Sequence, residues 1–407
     1  MSRRRARASG DGGTAFPAGR AAFAFVVAIG IVNLFGDVTY EGGASLNGQF
    51  LGSLGASAAM VAMLAGAGEF LGYALRPLSG WAADRTGRYW LLTFVGYVIN
   101  LFAMPTMALA GSWRVAGALL VTERVGRAIR KPTVDAMLSY STGKHGRGWV
   151  YALATALDET GALVGPIVVS VALFTGASYR TGYALLGISA VAAFGALVAA
   201  RWLFPVPARL EAGGPATARA KRFGRAYLLY TVAGALFAAG LMSFELIAFH
   251  LSSTGTVPIK WLPLFLALAT ATGIPANLAL GRLYDRHGIA IVGWSVAIAA
   301  LFSPFVFLGN LATATVGLLL WGIGYAVQDT LLKALIAGVL PEGRRNLAFG
   351  LFYLGYGVGW LAGGIATGLL YEASRIGLVV FAGTVQLASI PVFVAGGRAA
   401  RRELAAR

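Results

Sequence analysis

Charged residues interrupt an otherwise apolar stretch of the chain between positions 123 and 135. At about 100° per residue of α-helix, one face of this segment carries Arg124, Arg127, Lys131 and Asp135. Glu123 and Arg130 fall together on the adjacent face. A charge at membrane depth costs several kcal/mol unless it is paired or faces a cavity. These side chains are therefore candidates for binding a charged ligand or a proton, whereas Arg130 and Lys131 are equally suited to anchoring a helix at the membrane surface.

Polar side chains in the other apolar segments supply possible partners for these charges. The first segment contains a polar helical stripe, which consists of Asn33, Asp37, Tyr40 and Glu41. Further candidates for a substrate and proton-coupling site are Glu69, Asp158, Glu159, Glu245, Gln328, Asp329 and Lys333. Because a buried carboxylate can bind and release a proton, we expect Asp37 or Glu41 to carry one. The next candidates for this role are Glu69, Asp158 and Glu245.

The chain offers little for catalysis or for a bound cofactor. It contains three histidines and no cysteine, which excludes disulfides, thiol nucleophiles and thiolate metal sites. No phosphate-binding loop, nucleophile elbow or dinucleotide fingerprint stands in a credible context. We therefore expect no enzyme activity, no metal site and no cofactor.

The elements that must position these residues are long apolar helices. Of the 407 residues, 57% are hydrophobic and 12% are charged, against roughly 25% charged in an average soluble protein. About 20 apolar residues in a helix span the hydrocarbon core of a bilayer. The predicted spans are residues 21–43, 55–79, 89–110, 113–138, 148–175, 181–203, 225–250, 258–280, 289–309, 312–338, 348–372 and 376–397. The chain is thus predicted to be an all-α membrane protein with twelve transmembrane helices.

The formal net charge of +17 reflects topology rather than nucleic-acid binding. Basic residues cluster at both termini, in the middle segment and in alternate short loops, and the intervening loops contain few. This alternation is the positive-inside pattern. It predicts a multi-pass protein of the cytoplasmic (inner) cell membrane with both termini in the cytoplasm and no nucleic-acid partner.

The two halves of the chain resemble each other in sequence. The segment from Gly80 to Gly87 recurs as the segment from Gly281 to Gly288, and nearly the same offset aligns Lys131 with Lys333. Such an internal repeat is typical of transporter folds. The predicted organisation is a basic tail at 1–20, a six-helix bundle at 21–204, a cytoplasmic linker at 205–223, a second six-helix bundle at 224–397 and a basic tail at 398–407.

The short loop after the second predicted helix carries the most specific motif. Gly80, Asp84, Arg85, Gly87 and Arg88 match the pattern G-x-x-x-D-R-x-G-R, which resembles the signature loop of the major facilitator superfamily. The resemblance covers essentially the whole chain and implies two six-helix bundles around a central cavity. An aspartate near a helix end can pair with an arginine or cap a neighbouring helix. We expect a cytoplasmic gate formed by Gly80, Asp84, Arg85, Gly87, Arg88, Arg130, Asp135, Gly281, Asp285, Arg286 and Gly288.

Two weaker motifs bear on the direction of transport and on the substrate. Gly161-Ala-Leu-Val-Gly165-Pro166 looks like the antiporter motif of exporters in the superfamily, although the trailing glycines are missing. Arg124 resembles the arginine of a second superfamily motif, R-x-x-q-G, with Arg127 at the glutamine position. The charged pattern as a whole is similar to a prokaryotic branch of the superfamily whose members are mostly unassigned in substrate.

These observations predict a monomeric secondary transporter that moves a small polar, charged or zwitterionic solute by alternating access. The absence of a nucleotide-binding motif indicates a gradient as the energy source, with protons as the expected driver and export as the expected direction. An uncoupled facilitator is the nearest alternative. A membrane sensor or a lipid scramblase belongs to a different class and would not move such a solute.

Overall fold

A computed structural model describes residues 18–56, 64, 68–211, 223–257, 262–341 and 344–405. Within these ranges the regular secondary structure is helical. Residues 1–17 of the predicted basic tail at the N-terminus lie outside the described residues, as do most of the predicted linker and part of the second predicted span; residues 18–20 already belong to the first helix. Of the linker, Pro207–Glu211 forms a short 3₁₀ helix.

Apart from the short helices Met107–Leu109, Thr142–His145 and Pro207–Glu211, the described helices fall into twelve consecutive runs. They are α1 (Ala18–Ser53), α2 (Arg76–Thr86), α3 (Tyr89–Thr106), α4 (Trp113–Ser139), α5 (Arg147–Phe174), α6 (Tyr179–Leu203), α7 (Arg225–Leu241 and Phe244–Ser253), α8 (Leu262–His287), α9 (Ile289–Ala300 and Phe302–Phe307), α10 (Leu311–Ala326, a π-helical turn Val327–Leu332, and Lys333–Ala337), α11 (Arg345–Ala373) and α12 (Arg375–Ala405). We call the end of the bundle at which α1 begins and α12 ends the basic end.

Eight of the helices in the described part of the chain are long and apolar enough to cross a membrane. Helix α4 is long enough but carries seven charged residues, so its composition alone would not identify it as a span. Helix α7 is divided into two shorter pieces, α2 is only 11 residues long, and α8 is not among the eight either. The predicted count of twelve spans therefore stays a prediction for these helices.

The helices form two sets that pack within themselves and against each other. In the first half α1 packs on α5 and α6, and α3 packs on α4. In the second half α12 packs on α7 and α9, and α11 packs on α7. The two halves meet where α2 lies against α11 and α5 lies against α8. These two contacts place the repeated loop motifs beside the opposite half.

Several predicted boundaries differ from the observed ones. Helix α1 continues to Ser53 rather than residue 43, and α12 continues to Ala405, so most of the predicted basic tail is helical. The span predicted at 225–250 is interrupted at Met242, whose φ is 59°. The Trp321 indole N–H donates to the carbonyls of Leu241 and Met242 at 3.2 Å each, which satisfies acceptors that the break removes from the helix.

Candidate functional site

A buried carboxylate on α4 is the centre of a charged network inside the first half. The Glu123 side chain is fully buried and its Oε1 accepts a hydrogen bond from Asn100 Nδ2 at 2.5 Å. Arg124 Nε lies 3.5 Å from Glu123 Oε2, and Arg127 Nε lies 3.9 Å from Oε1. A buried charge is tolerated when it is paired and hydrogen-bonded, and two guanidinium groups meet that requirement for Glu123.

Arg124 extends this network to α1 and to the segment before α2. Its Nη1 lies 2.6 Å from Glu69 Oε1 and also donates a hydrogen bond to the Tyr40 hydroxyl. The Arg127 guanidinium lies over the Tyr40 ring, 3.3 Å from the centroid. Tyr40 therefore contacts both arginines, which fixes the register of α1 against α4.

A second set of ion pairs joins α1, α4 and α5. Arg130 Nη2 lies 3.9 Å from Asp37 Oδ1, and Lys131 Nζ lies 3.6 Å from Asp158 Oδ2. Asp37 and Asp158 thus pair with adjacent residues of α4. Two neighbouring carboxylates repel when both are ionised, and a proton on one of them removes that repulsion.

The position of Arg130 is determined by neutral partners as well as by Asp37. Its Nε donates to Asn100 Oδ1 at 3.1 Å, and its guanidinium lies 4.4 Å from the centroid of the Tyr97 ring. The Tyr97 hydroxyl in turn donates to Asn33 Oδ1 at 2.5 Å. Arg130 was predicted as a gate residue, and these contacts place it in the charged network of the first half.

The second half contributes acidic and aromatic side chains from α10 and α11. Lys333 is almost fully buried, and its Nζ lies 3.0 Å from Oδ1 of Asp329, four residues earlier on the same helix. The charge of Asp329 also acts on Glu159 of the first half. Neither Glu41 nor Glu159 forms an ion pair with a described basic residue. The Glu245 side chain lies outside the described side chains.

An aromatic group lies beside these charges. The Tyr356 hydroxyl donates to Gln328 Oε1, and the Tyr356 ring stacks on Trp360 at 6.2 Å between centroids. Tyr325 meets Trp360 edge to face at 6.4 Å. Tyr73 of the first half approaches Tyr356 at 6.3 Å. The interface between the halves thus combines charged residues of the first half with aromatic residues of the second.

At the basic end, each repeated aspartate caps a helix of the opposite half. Asp84 at the end of α2 accepts hydrogen bonds from Leu347 N at 2.8 Å and from Asn346 Nδ2 at 2.6 Å, at the start of α11. Asp285 at the end of α8 accepts from Gly148 N at 2.8 Å and Trp149 N at 2.7 Å, at the start of α5. Of the two roles predicted for these aspartates, the geometry supports helix capping.

Glycines permit the close approach that these caps require. A Cβ atom on Gly148 would collide with the backbone of Gly281, and one on Gly80 would collide with the backbone of Asn346. Gly87 and Gly288 end α2 and α8 with φ values of 64° and 65°, the left-handed region that glycine adopts without strain. The arginines of the motif, Arg85, Arg88 and Arg286, are exposed.

The electrostatics of the Asp84 cap reflect its partial burial. Burial raises the pKa of the Asp84 carboxyl, and the hydrogen bonds from Asn346 and Leu347 oppose this shift. The carboxylate therefore depends on these donors to remain ionised while the two halves are in contact.

A further contact between the halves lies deeper in the bundle. The Tyr353 hydroxyl on α11 donates a hydrogen bond to Asp135 Oδ2 on α4, and the Tyr151 hydroxyl donates to the Asp135 carbonyl at 2.9 Å. The Arg76 guanidinium lies between the rings of Tyr73 and Tyr353, 4.4 and 4.3 Å from their centroids. Asp135 is 3% exposed, so its carboxylate relies on Tyr353 from the other half.

Sequence reasoning missed several members of these networks. Asn100, Tyr97 and Tyr353 are uncharged residues in apolar helices, and such residues resemble ordinary packing side chains. Arg76 stands seven residues after Glu69, about two helical turns, but the two do not form an ion pair. The repeat contained one usable signal, because Tyr151 and Tyr353 occupy equivalent positions and both bond to Asp135.

Within the described part of the chain, no group of three or more histidine or acidic side chains is arranged to hold a metal ion. Two sets of membrane-length helices, joined at capped loops and around buried charges, define a polytopic helical transporter. The sequence profile of the Major Facilitator Superfamily matches residues 14–315. The chain belongs to the Major Facilitator Superfamily, a family of membrane transporters rather than enzymes.

Known relatives agree with this placement. The uncharacterized protein Rv2265 of Mycobacterium tuberculosis is 33% identical over 380 residues, which cover 92% of this chain and 93% of the relative. The uncharacterized MFS-type transporter MJ1317 of Methanocaldococcus jannaschii is 23% identical over 361 residues, with coverages of 86% and 89%.

Two solved structures show the same fold. One is a bacterial homologue of the iron transporter ferroportin in an outward-facing state, with a TM-score of 0.70, 16% identity and coverage of 92% of this chain and 99% of that chain. The other is the human organic anion transporter MFSD10 (TETRAN), with a TM-score of 0.70, 14% identity and coverages of 95% and 100%. At these identities the likeness concerns the fold alone.

Proposed function

We propose that this transporter moves a small polar, charged or zwitterionic solute by alternating access and couples its movement to protons. The observation that carries this proposal is the Asp37 and Asp158 carboxyl pair, flanked by Arg130 and Lys131 at 3.9 and 3.6 Å. Because a positively charged residue lies on each side of the pair, binding a proton changes the net charge of the whole network. A solute with its own charge can compete for the same groups.

The contacts between the halves correspond to one state of the proposed alternating-access cycle. The halves are joined at the basic end by the Asp84 and Asp285 caps and deeper by the Asp135 and Tyr353 bond. We assign the basic end to the cytoplasm of the cell that makes the protein, following the positive-inside pattern. The structure then corresponds to a state closed toward the cytoplasm, in which protons bind or leave from the opposite side.

The proposed direction is export. Its support is the resemblance of Gly161 to Pro166 to an exporter motif. The same glycines have a packing role, because a Cβ atom on Gly165 would lie 2.5 Å from the Val38 carbonyl oxygen of α1. Close contact between α1 and α5 brings Asp37 and Asp158 together, so the packing role and the coupling role depend on one another.

A ligand screen with a protonation variant tests this function. Purified protein is screened by thermal stabilisation against metabolites, drugs and metal ions at mildly acidic and mildly alkaline pH, because a ligand raises stability by RT ln(1 + [L]/Kd). Any solute found is then tested for transport in proteoliposomes with an imposed pH gradient. We expect Asp37→Asn to abolish pH-driven uptake and to retain the wild-type unfolding temperature.

The matched control is Glu403→Gln, since Glu403 accepts a hydrogen bond from Ala226 N at the basic end and lies outside the network. Full gradient-driven transport by Asp37→Asn would contradict proton coupling through this pair. Solute transport that ignores the pH gradient in the wild type would favour an uncoupled facilitator. Binding without transport would favour a sensor, and lipid movement without solute transport would favour a scramblase.

A further inference from the structure

A surface pocket at the basic end is lined by two arginines that take no part in the helix cap beside it. An open surface depression of about 320 Å³ is lined by Trp149, Arg282, Asp285 and Arg286. Both arginine side chains are exposed, and neither forms an ion pair with a described acidic residue. The pocket lies outside the charged network and has no part in the proposed proton coupling.

Asp285 forms no ion pair with either of these arginines, and its carboxylate is engaged at the start of α5. Its two oxygens accept hydrogen bonds from Gly148 N and Trp149 N at 2.8 and 2.7 Å. A carboxylate at a helix N-terminus is stabilised by those N–H groups and by the helix dipole. The guanidinium groups of Arg282 and Arg286 therefore remain available to an external anion.

One of the two arginines is held in place before any ligand binds. The Arg282 guanidinium lies 4.0 Å from the centroid of the Trp149 ring, a cation–π contact that restricts its motion. A planar guanidinium can donate two parallel hydrogen bonds to a phosphate. Arg286 is one turn further along α8 and supplies a second donor on the same side.

The surroundings of the pocket indicate a lipid rather than a soluble anion. Exposed apolar residues follow one side of α8 at helical spacing before Arg286, namely Leu268, Pro275, Ala279 and Leu283. Leu283 is 38% exposed and lies between the two arginines of the pocket in sequence. An apolar exposed stripe that ends in arginines and a tryptophan is typical of the boundary between hydrocarbon and headgroups.

We propose that Trp149, Arg282 and Arg286 form a binding site for the phosphate of an anionic membrane lipid. Because the site includes residues of both α5 and α8, a bound lipid contacts both halves at the Asp285 cap. It therefore stabilises the state in which the basic end is closed. The lipid acts here as a bound regulator, and the proposal does not depend on which solute is carried.

Thermal stabilisation of the purified full-length protein in a non-ionic detergent tests the site. The probes are dihexanoyl phosphatidylglycerol, dihexanoyl phosphatidylcholine and inorganic phosphate. The test variant combines Arg282→Gln and Arg286→Gln. The control is Arg114→Gln, since Arg114 lies over the Trp113 ring at 5.6 Å at the opposite end of the bundle.

We expect phosphatidylglycerol to raise the unfolding temperature of the wild type and of Arg114→Gln. The double variant should bind this lipid about 30-fold more weakly, from about 1 kcal/mol for each basic residue and tenfold for every 1.4 kcal/mol. Unchanged affinity in the double variant would overturn the proposal, as would equal stabilisation by phosphatidylcholine. Equal stabilisation by inorganic phosphate would assign the site to a free anion instead of a lipid. If the double variant does not purify as a folded protein, the single change Arg286→Gln of the exposed side chain gives the same comparison.

Discussion

Removing the Tyr353 hydroxyl should open the basic end of the transporter. In the closed structure this hydroxyl donates to Asp135 Oδ2 across the interface between the halves, and Asp135 is almost fully buried. A hydrogen bond to a charged group contributes about 1.5–3 kcal/mol. Because 1.4 kcal/mol corresponds to a factor of ten, Tyr353→Phe should raise the ratio of open to closed protein about 10- to 150-fold.

The absence of cysteine from the chain allows a direct assay of this ratio. Ser139 is 4% exposed and its Oγ accepts a hydrogen bond from Arg345 of the other half at 3.3 Å. A cysteine at this position is shielded while the basic end is closed and reacts with maleimide when it opens. The labelling rate of Ser139→Cys should therefore rise by the same factor when Tyr353→Phe is added.

A tyrosine within one half provides the control for this experiment. The Tyr227 hydroxyl donates to the Ala348 carbonyl at 2.7 Å, and both residues belong to the second half. Tyr227→Phe removes a buried hydrogen bond without touching the interface between the halves, so its labelling rate should match that of Ser139→Cys alone. Equal labelling rates in the Tyr353→Phe and Tyr227→Phe variants would refute the view that the Asp135 contact holds the basic end closed.

Three further outcomes are expected. Asp285→Ala removes the cap of α5, which is worth about 0.5–2 kcal/mol, so the labelling rate of Ser139→Cys should rise roughly 2- to 30-fold. Asn100→Ala leaves Glu123 without its donor at 2.5 Å and should lower stability by about 1–3 kcal/mol in a denaturation measurement; an unchanged midpoint would show that water replaces the amide. Asp37→Asn should change the labelling rate of Ser139→Cys, because Asp37 contacts Arg130 of α4. The control Glu403→Gln should leave that rate unchanged. Identical rates in the two variants would show that the carboxyl pair does not influence the closure of the basic end.

The fold could be predicted from the sequence because lipid imposes a simple rule on a spanning segment. Apolar length identifies spans, and the repeated loop motif identified the family to which the chain belongs. The rule is weakest for α4, which carries seven charged residues. The break of α7 at Met242 could not be predicted, since it depends on Trp321 from α10 supplying a hydrogen-bond donor.

The candidate site could be predicted only as a set of charges, because a sequence gives helical faces but not partners. The faces correctly placed Glu123 and Arg130 near each other, and the structure joins them through Asn100. The i,i+4 pair of Asp329 and Lys333 required no knowledge of the fold. Contacts between helices, such as Arg124 with Glu69, depend on the rotation of each helix about its axis, and that rotation is determined by packing.

Helix α4 joins the two parts of the molecule that a coupled transporter must connect. Arg130 contacts Asp37 of the proposed proton site, and Asp135, five residues later, is hydrogen-bonded to Tyr353 of the opposite half. Both residues lie on α4, so a displacement of one is passed to the other through a single turn, which contains Pro132 and lacks one backbone hydrogen bond. A change in the charge of Asp37 alters the force on Arg130 and so biases the position of Asp135 relative to Tyr353.

The repeat contains no second copy of this arrangement, since Ala337 stands at the position equivalent to Asp135. Under the proposed proton coupling, this asymmetry would divide the roles of two similar halves: the first half would respond to protons and the second would provide the surface against which it closes.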